Sequence, residues 1–183
     1  GKVLCNLDRK EDNDSMVKQL ALLVEKENPD ALVIAGDIFD VSTPNTIAQK
    51  SLAEYLVSLR KACPEMLIVC VSGNHDSASR HEIYQTPWNA LGVKMLGKID
   101  ASDFSANVIT VQDKGVIVAV PYTNERFLDT DFYASLETYV KENVADNLPI
   151  VYVGHAAIKD CNYVGHKIQD DRFIGGIECT NIA

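Results

Sequence analysis

The reading of the fold turns on Leu67-Ile68-Val69-Cys70-Val71-Ser72-Gly73-Asn74-His75-Asp76. An apolar run ends at a glycine, and side chains able to hold a metal ion or move a proton follow at once. The plan recurs on either side. Leu32-Val33-Ile34-Ala35 leads to Gly36-Asp37, and Ile150-Val151-Tyr152-Val153 leads to Gly154-His155. Short apolar runs without alternation are the pattern of strands buried on both faces. In an open α/β sheet, ligands gather at the carboxyl ends of the strands. Three adjacent parallel strands would bring Asp37, Asn74 and His155 into one crevice.

The segments between these runs alternate in character, which points to an α/β fold. Val17, Leu20, Ala21 and Val24 follow helical spacing, so a helix is expected from Asp14 or Ser15 to about Glu27, stopped by Asn28-Pro29. A second helix is expected after Pro44, capped by Asn45 and carrying Ile47, Leu52, Tyr55, Leu56 and Leu59. The three apolar runs give strands at Ala31–Ala35, Met66–Val71 and Ile150–Val153. Leu91–Leu96, Asn107–Val111 and Val116–Val120 read as further strands. The last two are joined by the turn signal Gln112-Asp113-Lys114-Gly115. A helix is expected over Asp131–Val144, and a strand followed by irregular chain over Lys167–Thr180.

Composition narrows the class. The chain has 183 residues, 46% hydrophobic and 23% charged, which suits one domain with a full core. No apolar run approaches the ~18 residues of a membrane helix, and residues 1–14 are polar and do not read as a signal peptide. There are 17 basic and 26 acidic residues, a net charge of −9. That argues against a protein coating nucleic acid by electrostatics alone, though not against an enzyme holding phosphate through bound cations. Cys5, Cys63, Cys70, Cys161 and Cys179 include no C-x-x-C pair. They read as thiols of a reducing cytosol, and the expected location is cytoplasmic.

The residue types at the three strand ends suit a binuclear centre. A carboxylate such as Asp37 can bridge two cations, while an Asn carbonyl and an imidazole fill terminal positions. His75, beside a ligand, could protonate a leaving oxygen, with Asp76 orienting and charging it. Gly-Asp or Gly-His alone is most often a turn or a cap; the weight comes from three such ends together.

At these residues the sequence resembles the calcineurin-like metallophosphoesterases. They are Gly36-Asp37-Ile38-Phe39-Asp40, Pro44, Gly73-Asn74-His75-Asp76-Ser77, Gly154-His155 and Ile174-Gly175-Gly176. Within that family they look like the nuclease branch, the SbcD subunits of bacterial SbcCD complexes. Protein phosphatases and dinucleoside polyphosphate hydrolases usually continue Gly-Asp-x-x-Asp with Arg-Gly, where Val41-Ser42 stands here. The protein phosphatases also prefer Glu at the position of Asp76.

The resemblance implies a layered α/β/β/α sandwich and a metal-dependent nuclease acting on double-stranded DNA ends and hairpins in repair and recombination. It implies two divalent cations, Mn2+ by preference, held by Asp37, Asn74 and His155. His75 would meet the scissile phosphate or its leaving group, with Asp76 behind it and Asp40 in support. It also implies an SbcC-like ATPase partner, a homodimer and no membrane. The family opens on Asp-x-His and closes its site with Gly-His-x-His. Neither is found between Gly1 and Ala183, so residues 1–183 read as part of one nuclease domain, incomplete at both ends and expected to bind metals poorly and be inactive as it stands. Two other readings stay open: a phosphoesterase for small phosphodiesters such as cyclic nucleotides, and an inactive binding module.

The remaining polar residues have blander readings. Arg80 could touch a DNA phosphate or be a solvated charge. His81 and His166 read as surface histidines, Tyr122 as core or rim packing, and Trp88 as core or interface. Asp8–Asp14 reads as a solvated loop and helix start, although Arg9 and Lys10 could meet substrate.

Overall fold

The computed structural model describes residues 3–4, 7–124 and 128–156, with side chains from residue 9 onward. The expected strand over Lys167–Thr180, Ile174–Gly176 and His166 lie outside the described residues. A two-stranded antiparallel ribbon, β1 (Val3–Leu4) and β2 (Leu7–Asp8), precedes helix α1 (Lys10–Glu27). The helix starts before the expected Asp14 or Ser15. Asn13 N–H donates to the Arg9 carbonyl, an Arg9–Asp12 ion pair spans the first turn, and Glu11 and Asp12 complement the helix dipole there. It ends where expected, at Asn28 in the left-handed conformation before Pro29.

Two sheets form the centre. In the first, β3 (Ala31–Ala35), β4 (Leu67–Val71) and β5 (Val93–Leu96) run parallel in that order, with Ile34 opposite Cys70 and Cys70 opposite Met95. In the second, β6 (Val108–Val111) pairs antiparallel with β7 (Gly115–Val120), which pairs parallel with β8 (Ile150–Gly154). Helix α2 (Thr46–Ala62) connects β3 to β4, and its N-cap Asn45 accepts the Ala48 N–H at 2.8 Å. Two short helices, α3 (Ala78–Ile83) and α4 (Gln85–Asn89), follow the Asn-His-Asp loop where the sequence reading had none. Helix α5 (Phe132–Asn143) precedes β8.

The alternation of side chains sorts these elements into four layers. Ile68, Cys70, Val93 and Met95 face α1 and α2 and pack with Val24, Leu56 and Leu59. Val69, Val71 and Leu96 point the other way, into Ile109, Val111, Ile117, Ala119 and Val153 of the second sheet. Val116 and Val118, on the outer face of β7, meet Phe132, Leu136 and Val140 of α5. Each large apolar side chain so buried contributes roughly 1.5–3 kcal/mol. The order is therefore helix, sheet, sheet, helix.

Two expectations of burial need correction. Among the described residues β3 has one strand neighbour and is only partly buried, and β8 likewise borders β7 alone. Ile150, Val151 and Tyr152 are 39%, 55% and 54% exposed, so β8 is not the twice-covered strand its composition suggests. Composition reports apolarity but not position in the sheet. The three strands are also not neighbours: β3 and β4 are adjacent, while β8 belongs to the second sheet.

Candidate functional site

The site forms at the seam between the sheets, where the carboxyl ends of β3, β4 and β8 come together. After Ala35 the chain turns off the first sheet through Gly36 and Asp37, both left-handed at φ +86° and +49°. Aspartate tolerates that region better than most residues. A side chain on Gly36 would collide with His155, whose Cβ lies 2.7 Å from where a Cβ would stand. On β4, Ser72 anchors the loop: its N–H donates to the Leu96 carbonyl at 2.9 Å and its hydroxyl to the Gly97 carbonyl at 2.9 Å.

The structure brings Asp37, Asn74 and His155 together. His155 Nδ1 lies 3.0 Å from the Ala35 carbonyl oxygen, and its Nε2 lies 3.0 Å from Asn74 Oδ1 and 3.5 Å from Asp37 Oδ2. A carbonyl can only accept, so Nδ1 carries the proton in the neutral ring. That leaves Nε2 with a bare lone pair, facing an amide oxygen and a carboxylate oxygen. Three converging lone pairs repel one another unless a proton or a metal cation lies among them. Nitrogen and oxygen donors of this kind suit divalent transition metals. Among the described residues, no three His, Cys, Asp or Glu side chains form a ligand group by themselves. This cluster has two, completed by an amide.

The two loops are tied together next to this cluster. The His75 N–H donates to Asp37 Oδ1 at 3.0 Å. Asp76 Oδ2 accepts the N–H groups of Ile38 at 3.1 Å and Gly73 at 2.9 Å, and Oδ1 accepts that of Phe39 at 2.9 Å. Its side chain is fully buried. Asp76 is thus not the group that orients His75, as the sequence reading had it. Its oxygens are committed to backbone N–H donors, and His75 Nδ1 meets the Asp40 carbonyl instead, at 3.0 Å. His75 is exposed, so its Nε2 is free to meet a substrate.

The other candidates divide. Tyr122 is drawn to the site, its ring 6.4 Å from that of His155 and edge-on to it, with its N–H on the Ser72 carbonyl at 2.8 Å. Arg80 sits partly buried on α3 and makes no bond to the cluster among the described residues. Trp88 packs against the core beside α1 and α2. Arg9 pairs with Asp12, and Lys10 lies 3.8 Å from Asp14. His81 is buried, 6% exposed, and not on the surface as expected, because α3 turns it inward toward Asp76. The parts played by the Ala35 and Asp40 carbonyls carry no sequence signal, since every residue has one. Cys63 and Cys70 are buried free thiols.

A layered α/β domain with nitrogen and oxygen donors converging at its strand ends suits a metal-dependent hydrolase, and comparison with known sequences gives the family. The chain belongs to the calcineurin-like phosphoesterase family, whose sequence profile matches residues 8–174. Members of this family are hydrolases that use divalent metals. The chain is also similar to proteins named as the SbcD component of the SbcCD nuclease. That of Rhodobacter capsulatus is 30% identical over 134 residues, 68% of this chain and 33% of the relative. The Staphylococcus epidermidis protein is 36% identical over 88 residues, 48% of this chain and 23% of the relative. The Bacillus subtilis protein is 26% identical over 129 residues, 70% of this chain and 33% of the relative. The chain therefore spans about a third or less of these relatives. No described helix is long and apolar enough to cross a membrane.

Proposed function

We propose that the chain is the nuclease portion of an SbcD-type protein, a metal-dependent phosphodiesterase acting on double-stranded DNA ends and hairpins in repair and recombination. The observation that carries this is the convergence of Asp37, Asn74 and His155 lone pairs beside an exposed His75. Asp37, Asn74 and His155 would hold divalent cations, Mn2+ by preference from the family resemblance. Bound there, a cation pair would supply an activated water and offset the charge developing on the phosphate.

The protein's own groups do the rest. The Ala35 carbonyl keeps the His155 proton on Nδ1 and so keeps Nε2 available as a ligand. In its charged form, His75 can hold one proton against the Asp40 carbonyl through Nδ1 and give the other, from Nε2, to the departing sugar oxygen. The P–O bond breaks as that oxygen takes the proton, and the ring is left neutral. Arg80, on α3 just after the His75 loop, is the candidate contact for a DNA phosphate. The nuclease reading also carries an SbcC-like ATPase partner and a homodimer, following the names of the relatives and the family resemblance.

The test is release of nucleotides from linear duplex DNA with Mn2+ and then with chelator, by residues 1–183 within a protein of the relatives' full length, using Asp37→Asn as control, since asparagine also tolerates the left-handed backbone. Mn2+-dependent release that the variant lacks is the expected result. Hydrolysis of cyclic nucleotides or other small phosphodiesters, with none of DNA, would transfer the proposal to the small-molecule reading that the charge of −9 favours.

A further inference from the structure

We infer that His81 is a positioning residue: from α3 it braces the buried Asp76 carboxylate, which ties the loop carrying Asp37 to the loop carrying Asn74 and His75. The bracket itself does not depend on the nuclease reading. Its consequence for cation binding rests on that reading.

The Asp76 side chain is fully buried, and a buried carboxylate must be matched by donors or charge. The N–H groups of Ile38 and Phe39 come from the first loop and that of Gly73 from the second, so one carboxylate spans both. Among the described residues the His81 imidazole also faces it, its Nε2 3.9 Å from Oδ2. That is longer than a hydrogen bond, so the attraction is electrostatic and holds the carboxylate in place without competing for the lone pairs that bind the backbone.

His81 is a poor choice for filling space. Its side chain is 5% exposed, and its Nδ1 has no partner among the described residues. A leucine would fill a similar volume without the unmatched nitrogen. Burial holds the imidazole below its ordinary value while Asp76 pulls the other way. The neighbouring ionisable group, the Cys70 thiol, is pushed up to about 12 and stays neutral there. Retaining a costly imidazole is intelligible if its field on Asp76 sets the spacing of the two loops, and with it that of Asp37 and Asn74.

The test compares His81→Leu with His81→Gln, whose amide can carry a donor to the same place. Three quantities are read: unfolding free energy without metal, hydrogen exchange of the Ile38, Phe39 and Gly73 amides, and the Mn2+ dissociation constant from the free-ion electron paramagnetic signal. In His81→Leu the unfolding free energy should hold or rise. The three amides should nevertheless exchange about tenfold faster, and Mn2+ should bind about tenfold more weakly, the lower end of what supporting residues around metal ligands are worth. His81→Gln should restore both. Unchanged amide exchange in His81→Leu, or faster exchange explained by lost global stability and not rescued by Gln, overturns the proposal. If the unaltered protein binds no Mn2+, the metal reading fails by itself, and the amide exchange still decides the bracket.

Discussion

Replacing Gly36 with alanine should separate the backbone cost of a strained turn from the loss of the site. Gly36 and Gly92 both have left-handed backbone, at φ +86° and +70°. A Cβ in that region costs about 1–2 kcal/mol. At Gly92 the new methyl would come 2.9 Å from the Arg60 guanidinium carbon, and that side chain would have to swing aside and give up its bond to the Met66 carbonyl. At Gly36 it would land in the His155 ring. The ring must then leave the Ala35 carbonyl, giving up a hydrogen bond worth about 0.5–1.5 kcal/mol. Each substitution should therefore lower stability by about 1.5–3.5 kcal/mol. The functional difference is larger, because a displaced His155 takes Nε2 away from Asp37 and Asn74. The assay is urea unfolding with and without Mn2+. A cation that binds only the folded state adds about 2.7 kcal/mol at a hundredfold excess over its dissociation constant. Gly92→Ala should keep the full increment and Gly36→Ala should lose it. Equal Mn2+ increments in the two variants would refute both the placement of His155 and its part in holding a cation.

His75→Ala keeps the backbone N–H that binds Asp37, so it should retain the Mn2+ increment while phosphodiester hydrolysis slows about 10²–10⁴-fold, some 3–5 kcal/mol of barrier; an unchanged rate would remove His75 from the chemistry. Burial holds the folded pKa of His81 below its ordinary 6.5, so just under that pH the unfolded chain takes up the proton and the folded one does not. Stability should thus fall with pH below about 6.5, and urea midpoints from about pH 5 to 7 should show a shallower slope in His81→Leu. Cys70 is fully buried and its thiol is pushed up to about 12 by burial and by Asp76, so native Cys70 should resist alkylation near pH ~8 and react once unfolded, as read by peptide mass spectrometry.

Much of this architecture could be read along the chain because it is written in local pattern. The spacing of Ile47, Leu52, Tyr55, Leu56 and Leu59 and the Asn45 cap led to α2, which buries Leu56 and Leu59, half-buries Leu52 and Tyr55, leaves Ile47 exposed and keeps its cap bond. The turn at Gln112–Gly115 joins β6 and β7 as expected, with Gln112 supplying the left-handed residue at φ +46°. The helices α3 and α4 were missed because each is only a turn or so long and shows no periodicity. The start of α1 was missed because Arg9 caps it without a side-chain bond, leaving no Ser or Asp signal at that point.

What the sequence by itself determined were the chemical resources at each strand end: an apolar strand, a glycine that permits a sharp turn, and then Asp37, Asn74 or His155. Those are properties of neighbouring residues, and the physics that selects them acts over a few positions. Only the tertiary structure decided that β8 lies in the second sheet, that the donors therefore meet at a seam between sheets, and that Asp76 serves the backbone while Asp40 meets His75. Strand pairing and backbone hydrogen bonds are made by groups every residue carries, so no side-chain pattern announces them. The burial of His81 against Asp76 follows from where α3 packs, beside β5, which no local pattern states.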